Sequence, residues 1–235
     1  MQLVDRDRIL ALSPDATADF SYMRDYAVGI PTVRPTAEDA LVLRPDLIIR
    51  SYGGGPNATV FFERAGIPVL NVGWAGSLED VKTVIAAAAE GLNAVERGQA
   101  TIDEMNDRLA ALRNSTDQRT ALYMTPSGVT TGPNSLVHEM LLSAGYQNFE
   151  ARPGWHSIPL ERLAYERPNL VVAAFFDEQT NHISSWSAAR HPIARAQLLD
   201  QPMVPISGAW TACGGWFLLD AIEALAGGAP GGEQR

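Results

Sequence analysis

One stretch, residues 93–113, limits what this chain can fold into more than any other. Asn93 can cap a helix through its side chain, and Glu96 stands three residues on, where a capping box wants an acid. Val95, Ile102, Met105, Leu109 and Leu112 then fall on one stripe at three- and four-residue steps, with polar residues opposite. Glu104 and Arg108 form an i,i+4 charge pair in the favourable orientation. About 20 residues rising about 1.5 Å each make a rod of about 30 Å, the width of a small domain. A strand–helix alternation precedes this helix and another follows it. The expectation is an α/β chain of two lobes with parallel-sheet cores, joined by a single long α-helix. The boundaries are an N-terminal lobe over 1–92, the bridging helix over 93–113, a C-terminal lobe over 114–226, and a disordered Gly/Pro-rich tail over 227–235.

The flanks supply the alternation. In the first half, residues 8–13 predict a short strand ended by Ser13-Pro14, and Thr36 caps a helix running to Leu43. The break Arg44-Pro45-Asp46 launches the strand Leu47-Ile48-Ile49. Three glycines follow Tyr52, a helix spans residues 58–65 with Gly66 as its C′ residue, and a strand covers residues 67–72. Ser77 begins the next helix. In the second half, residues 120–124 predict a strand, 126–133 a loop and 134–145 a helix. Trp155 and His156 fall in a loop, 160–165 in a helix and 170–175 in a strand introduced by Arg167-Pro168-Asn169. A helix over 188–199, a strand over 204–206, a loop over 207–210 and a closing helix over 212–226 complete the pattern.

Composition removes several functions. A net charge of −9, with no basic cluster, argues against nucleic acid as a partner. No apolar run approaches the roughly 20 residues of a membrane span. Gly53-Gly54-Gly55 is not followed by Gly-Lys-Ser/Thr and lacks dinucleotide spacing, so it is a permissive turn and not a phosphate cradle. His138, His156, His182 and His191 match no local metal motif, and no metal site is expected. The single cysteine, Cys213, has no histidine near it in sequence. Ser127 and Ser207 lack the nucleophile elbow, so no catalytic residue is expected.

Several motifs in order carry a family likeness: Leu43-Arg44-Pro45-Asp46-Leu47-Ile48-Ile49, Gly66-Ile67-Pro68-Val69, Ser77-Leu78-Glu79-Asp80-Val81, the bridging helix, residues 160–172 and residues 210–225. With them the chain resembles the class III, helical-backbone substrate-binding proteins of ABC importers for iron–siderophores, haem and cobalamin. The resemblance implies a non-enzymatic, periplasmic or externally lipid-anchored receptor, a monomer when full length. It would have no intrinsic cofactor and would deliver a small-molecule metal chelate (ferric siderophore, haem or cobalamin) to importer permease subunits.

Two departures qualify the likeness. Family members begin with an export signal, then a strand and helix before the segment matching residues 8–13, and this sequence shows neither. They also carry an acid on each lobe for permease docking. Here Pro56, Asn57 and Thr59 follow Tyr52, leaving Glu63 and Asp220 as substitutes. The alternatives are a cytoplasmic enzyme or metallocluster assembly factor on the same fold, or a diverged ligand sensor.

In such a fold the ligand meets loops at the carboxyl ends of parallel strands, in a cleft between lobes. Those positions hold Tyr52, Trp74, Phe176 and Trp210, with Trp155, His156 and Trp186 in further loops of the second half. Aromatic faces suit large planar ligands, and His156 could donate to a ligand or coordinate a haem iron.

Overall fold

The computed structural model describes residues 2–34, 36–51, 57–112, 119–176 and 186–227. Tyr52, the glycines Gly53-Gly54-Gly55, His182 and the tail beyond Gly227 lie outside them. The chain divides into two compact units, Met1–Ala75 with Glu79–Asp103 and Gly76–Leu78 with Glu104–Arg235.

The first unit is built on a pair of short parallel strands, β1 (Ile48–Arg50) and β2 (Val69–Asn71). Around them run the helices α1 (Arg24–Ala27), α2 (Ala37–Val42), α3 (Ala58–Arg64) and α4 (Leu78–Gly91), the last followed by α5 (Val95–Leu112). Thr36 caps α2 as its sequence predicts, accepting from the Asp39 amide. Gly66, at φ +75°, ends α3. One core cluster here is Ala37, Ala58 and Phe62, with Leu41, Ile48, Ile67 and Val69 packed on them, and α4 buries Val81, Ile85 and Ala89. Residues 8–13 are not a strand. Ser13 and Pro14 start a 3-10 turn, Pro14–Thr17, so pairing stops after one bridge between Leu12 and Thr32.

The helix α5 is present, but its start differs from expectation in three ways. Asn93 has φ +53° and closes α4, not α5. Its amide donates to Glu90 and that of Ala94 to Ala89, the paired bonds of a Schellman ending. The first intrahelical acceptor of α5 is therefore Ala94, bonded by Gly98. Val95 consequently points outward at 61% exposure, and the buried stripe runs through Gly98, Thr101 and Met105. Gly98 is required there, since a Cβ would lie 2.4 Å from the Ala89 Cβ across the tight α4–α5 corner. Arg108 does not turn to Glu104. It clamps Glu223 at 2.7 Å and Asp220 at 2.6 Å on the last helix, and those bonds hold its guanidinium proton above the ordinary range against the opposing effect of burial.

The second unit carries a four-stranded, wholly parallel sheet in the order β5-β3-β7-β8, comprising β3 (Thr120–Met124), β5 (Gln147–Asn148), β7 (Leu170–Ala174) and β8 (Met203–Ile206). Every residue of β7 is buried, as a central strand covered on both faces must be. The edge strand β8 alternates instead, with Val204 and Ile206 inward and Pro205 tolerated because an edge needs no donor on that side. Asn169 sets the β3–β7 register: its Oδ1 accepts from the Thr120 amide at 2.8 Å, and its own amide donates to the Thr120 carbonyl. Leu122, Met124, Phe149, Ile158, Leu163 and Val171 form the core on one side.

The remaining elements are β4 (Val129–Thr131), α6 (Leu136–Ser143), β6 (Trp155–Ser157), α7 (Leu160–Leu163), α8 (Pro192–Asp200), α9 (Gly208–Thr211) and α10 (Leu218–Gly227). Several correct the sequence expectations. The loop expected over 126–133 contains β4, whose β-branched residues pair antiparallel with β6, so Trp155 and His156 lie on a strand. The helix expected over 134–145 starts at Leu136, capped by Ser135. The helix expected over 188–199 breaks at His191, held extended (ψ 139°) before Pro192, which opens α8. The loop expected over 207–210 turns into α9. The closing helix starts only at Leu218, after Gly214 and Gly215 interrupt the run.

Candidate functional site

The carboxyl ends of β3, β7 and β8 carry the side chains that could hold a ligand. Past β3 comes Pro126, whose carbonyl accepts from the Ser187 hydroxyl at 2.7 Å, fastening the segment that follows Trp186 to the sheet. Past β7 comes Phe175 in the left-handed region at φ +64°, a conformation that costs a bulky residue on the order of 1–3 kcal/mol. That turn re-aims the chain so that Phe176 joins Pro126, Ala189, Arg190, Arg195 and Leu198 around a cavity of about 430 Å³. The volume lies within the usual range for small-molecule sites. Phe176 remains 41% exposed, so part of its ring is open to solvent.

A second aromatic group assembles beside β3. Tyr123, buried in the strand, meets Trp155 edge to face with ring centroids 6.1 Å apart. Its hydroxyl lies 3.4 Å from that of Thr211, the residue after Trp210. The β4–β6 pair presents Trp155: Gly154, at φ +83°, turns the chain into β6 and receives hydrogen bonds from the Thr131 hydroxyl and the Gly132 amide. Gly132 must itself lack a Cβ, which would sit 2.0 Å from the Arg152 carbonyl oxygen. Under this turn Glu150 is buried. Burial alone would raise its pKa, but hydrogen bonds from the Arg152 side chain and backbone outweigh that and hold the carboxyl below its ordinary value.

The sequence candidates separate accordingly. Phe176 lines the cavity, while Trp155 and Trp210 are linked through Tyr123 and Thr211. Trp186 is 95% exposed, one residue before the Ser187 anchor. Trp74 follows β2 in the first unit at 83% exposure. His156 is committed locally, its Nε2 donating to the Pro153 carbonyl at 2.6 Å, which leaves only Nδ1 for any other partner. Glu63 is exposed on α3, whereas Asp220 is engaged by Arg108 and is not a free acid for docking. Cys213 lies five residues before α10, not at its start, and burial pushes its thiol pKa up, away from a reactive thiolate.

Sequence reasoning missed Pro126, Tyr123, Arg190, Arg195 and Leu198. The arginines carry a legible signal: two cations border Pro192 at the start of a helix whose first turn has no acid, the end where positive charge is disfavoured.

A family profile described as periplasmic binding protein matches residues 22–183, more than half of the chain. The chain belongs to the periplasmic binding protein family. That is a family of binding proteins, not of enzymes, and the parallel sheets described above are its architecture. Among solved structures, the periplasmic heme-binding protein HutB of Vibrio cholerae is 16% identical, with a TM-score of 0.76 over 93% of this chain and 89% of that one. The periplasmic heme-binding protein RhuT from Roseiflexus sp. RS-1, in apo form, is 19% identical, with a TM-score of 0.71 over 94% and 90%. An ABC-type Fe3+-hydroxamate transport system protein from Saccharomonospora viridis DSM 43017 is 19% identical, with a TM-score of 0.65 over 92% and 82%. No curated protein sequence matches the chain. At these identities the structural likenesses establish the fold. Among the described residues of this binding protein, no helix is long and apolar enough to cross a membrane.

Proposed function

We propose that this binding protein is the substrate-binding component of an ABC importer, working outside the cytoplasmic membrane. It captures a metal chelate (haem, a ferric siderophore or cobalamin) and delivers it to permease subunits. The cavity beyond β3 and β7 carries the reading, because it joins an aromatic face to an apolar floor of a size suited to part of a planar chelate. Family membership supports the transport role, and the structural relatives named for heme and Fe3+-hydroxamate support the ligand class. Trp155 adds aromatic surface beside β3, Trp210 stands on α9 just past β8, and Trp74 supplies an exposed ring in the first unit. Glu63 is the acid available for permease docking on that unit.

Titration with haemin, ferrichrome and cyanocobalamin, followed by quenching of tryptophan fluorescence, tests this function. At least one chelate should bind with a micromolar or tighter dissociation constant, and Phe176→Ala should weaken it by about 1–3 kcal/mol without lowering the melting temperature. Binding no tighter than millimolar for all three would overturn the function. Unchanged affinity in Phe176→Ala would remove the cavity from the site.

A further inference from the structure

Among the described residues around the second unit's cavity, four are apolar and two are arginines. Arg24, Arg34, Arg97, Arg108, Arg152 and Arg162 all pair with a carboxylate. Arg190 and Arg195, by contrast, form no ion pair or side-chain hydrogen bond among the described residues. The chain as a whole has 27 acidic against 18 basic side chains, yet no acid among the described residues pairs with these two.

Neither arginine is there for the helix. Arg195 sits in the first turn of α8 and Arg190 just before it, the end at which a cation opposes the backbone dipole. Their backbones are fixed: the Arg190 amide donates to Ser187, itself tied to Pro126, and the Arg195 amide to His191. Two guanidinium groups are thus held on rigid elements at the wall of an otherwise apolar cavity. Each offers a planar fork that matches a carboxylate.

We propose that Arg190 and Arg195 bind the carboxylates of an anionic chelate, whose apolar or planar body rests on Phe176, Pro126 and Leu198. This proposal rests on the chelate-binding function given above and narrows it: the site selects carboxylate-bearing chelates over neutral ones. The net charge of −9 does not oppose such a ligand there, since screening confines the repulsion of distant acids to about 8–10 Å and leaves the local pair of cations to act.

The test is a calorimetric titration of the whole protein and of the Arg190→Gln/Arg195→Gln double variant. The probes are two anionic chelates, haemin and ferric citrate, two neutral ligands, haemin dimethyl ester and ferrichrome, and cyanocobalamin, whose phosphodiester keeps it out of the neutral set. Both arginines are exposed, so the variant retains the fold, which its melting temperature verifies. An anionic probe should bind the unaltered protein more tightly than any neutral one and lose at least about tenfold in affinity in the double variant. The affinities of the neutral probes should not change. A neutral probe binding tightest, or equal binding of the anionic probes by both proteins, overturns the selectivity while leaving chelate binding intact. If none of the five binds the unaltered protein, chelate binding fails and the selectivity falls with it.

Discussion

Native-state hydrogen exchange is expected to show the amides of β7 and of Leu122 in β3 exchanging at least about a hundredfold more slowly than those of β1 and β2. Burial and pairing both point that way. Each residue of β7 is at most 2% exposed and lies between two hydrogen-bonded neighbours, β3 and β8. Among the described residues the pair β1–β2 has no further strand beside it, and Ile49 in the middle of β1 is half exposed. Two short strands supply little cooperative stability, so local opening there should cost far less than global unfolding. Equal protection in the two sheets would contradict the difference in strand burial and pairing described here.

Leu122→Ala should destabilise the second unit by about 2–5 kcal/mol. The side chain is fully buried on β3, in the cluster with Val171, Phe149 and Leu163, where neighbours held by a four-stranded sheet cannot collapse into the space left behind. Against a total stability of about 5–15 kcal/mol, that is a large fraction. Chemical denaturation followed by circular dichroism measures it. A loss under about 1 kcal/mol would mean that the core repacks freely.

Much of the second unit is legible in the sequence. The unbroken apolar run Leu170–Ala174 has only one comfortable place, the middle of a parallel sheet, and its Pro-Asn introduction aligns it with β3 through Asn169. Periodicity says less about turns. Asparagine serves equally as an N-cap and as a left-handed C′ residue, and the backbone angle of Asn93, which no stripe of apolar residues records, decides for the second. The apolar stripe also misplaces Val95, which lies in the first turn of α5 at 61% exposure, so that the buried stripe begins only at Gly98. The pairing of Val129–Thr131 with Trp155–Ser157 joins segments far apart in sequence, so a local reading takes both for loops.

The candidate site was half visible. Position after a strand singled out Phe176 and Trp210, because parallel sheets open their carboxyl ends to ligands. The cavity's arginines escaped because they sit on and just before α8, which is brought to the end of β7 by non-local contacts, the Ser187–Pro126 bond and the packing of Ala194 in the cluster with Val171. Asp220, read as a surface acid, proved to be the partner of Arg108, a contact between helices more than a hundred residues apart.

The most direct measurement of the central claim is a crystal structure of the protein grown with whichever chelate binds in titration. The expected result is ligand density against Phe176 and Pro126, at the carboxyl ends of β3 and β7, with Arg190 or Arg195 within hydrogen-bond distance of its oxygens. Density for the chelate at a position that touches neither Phe176 nor either arginine would contradict it.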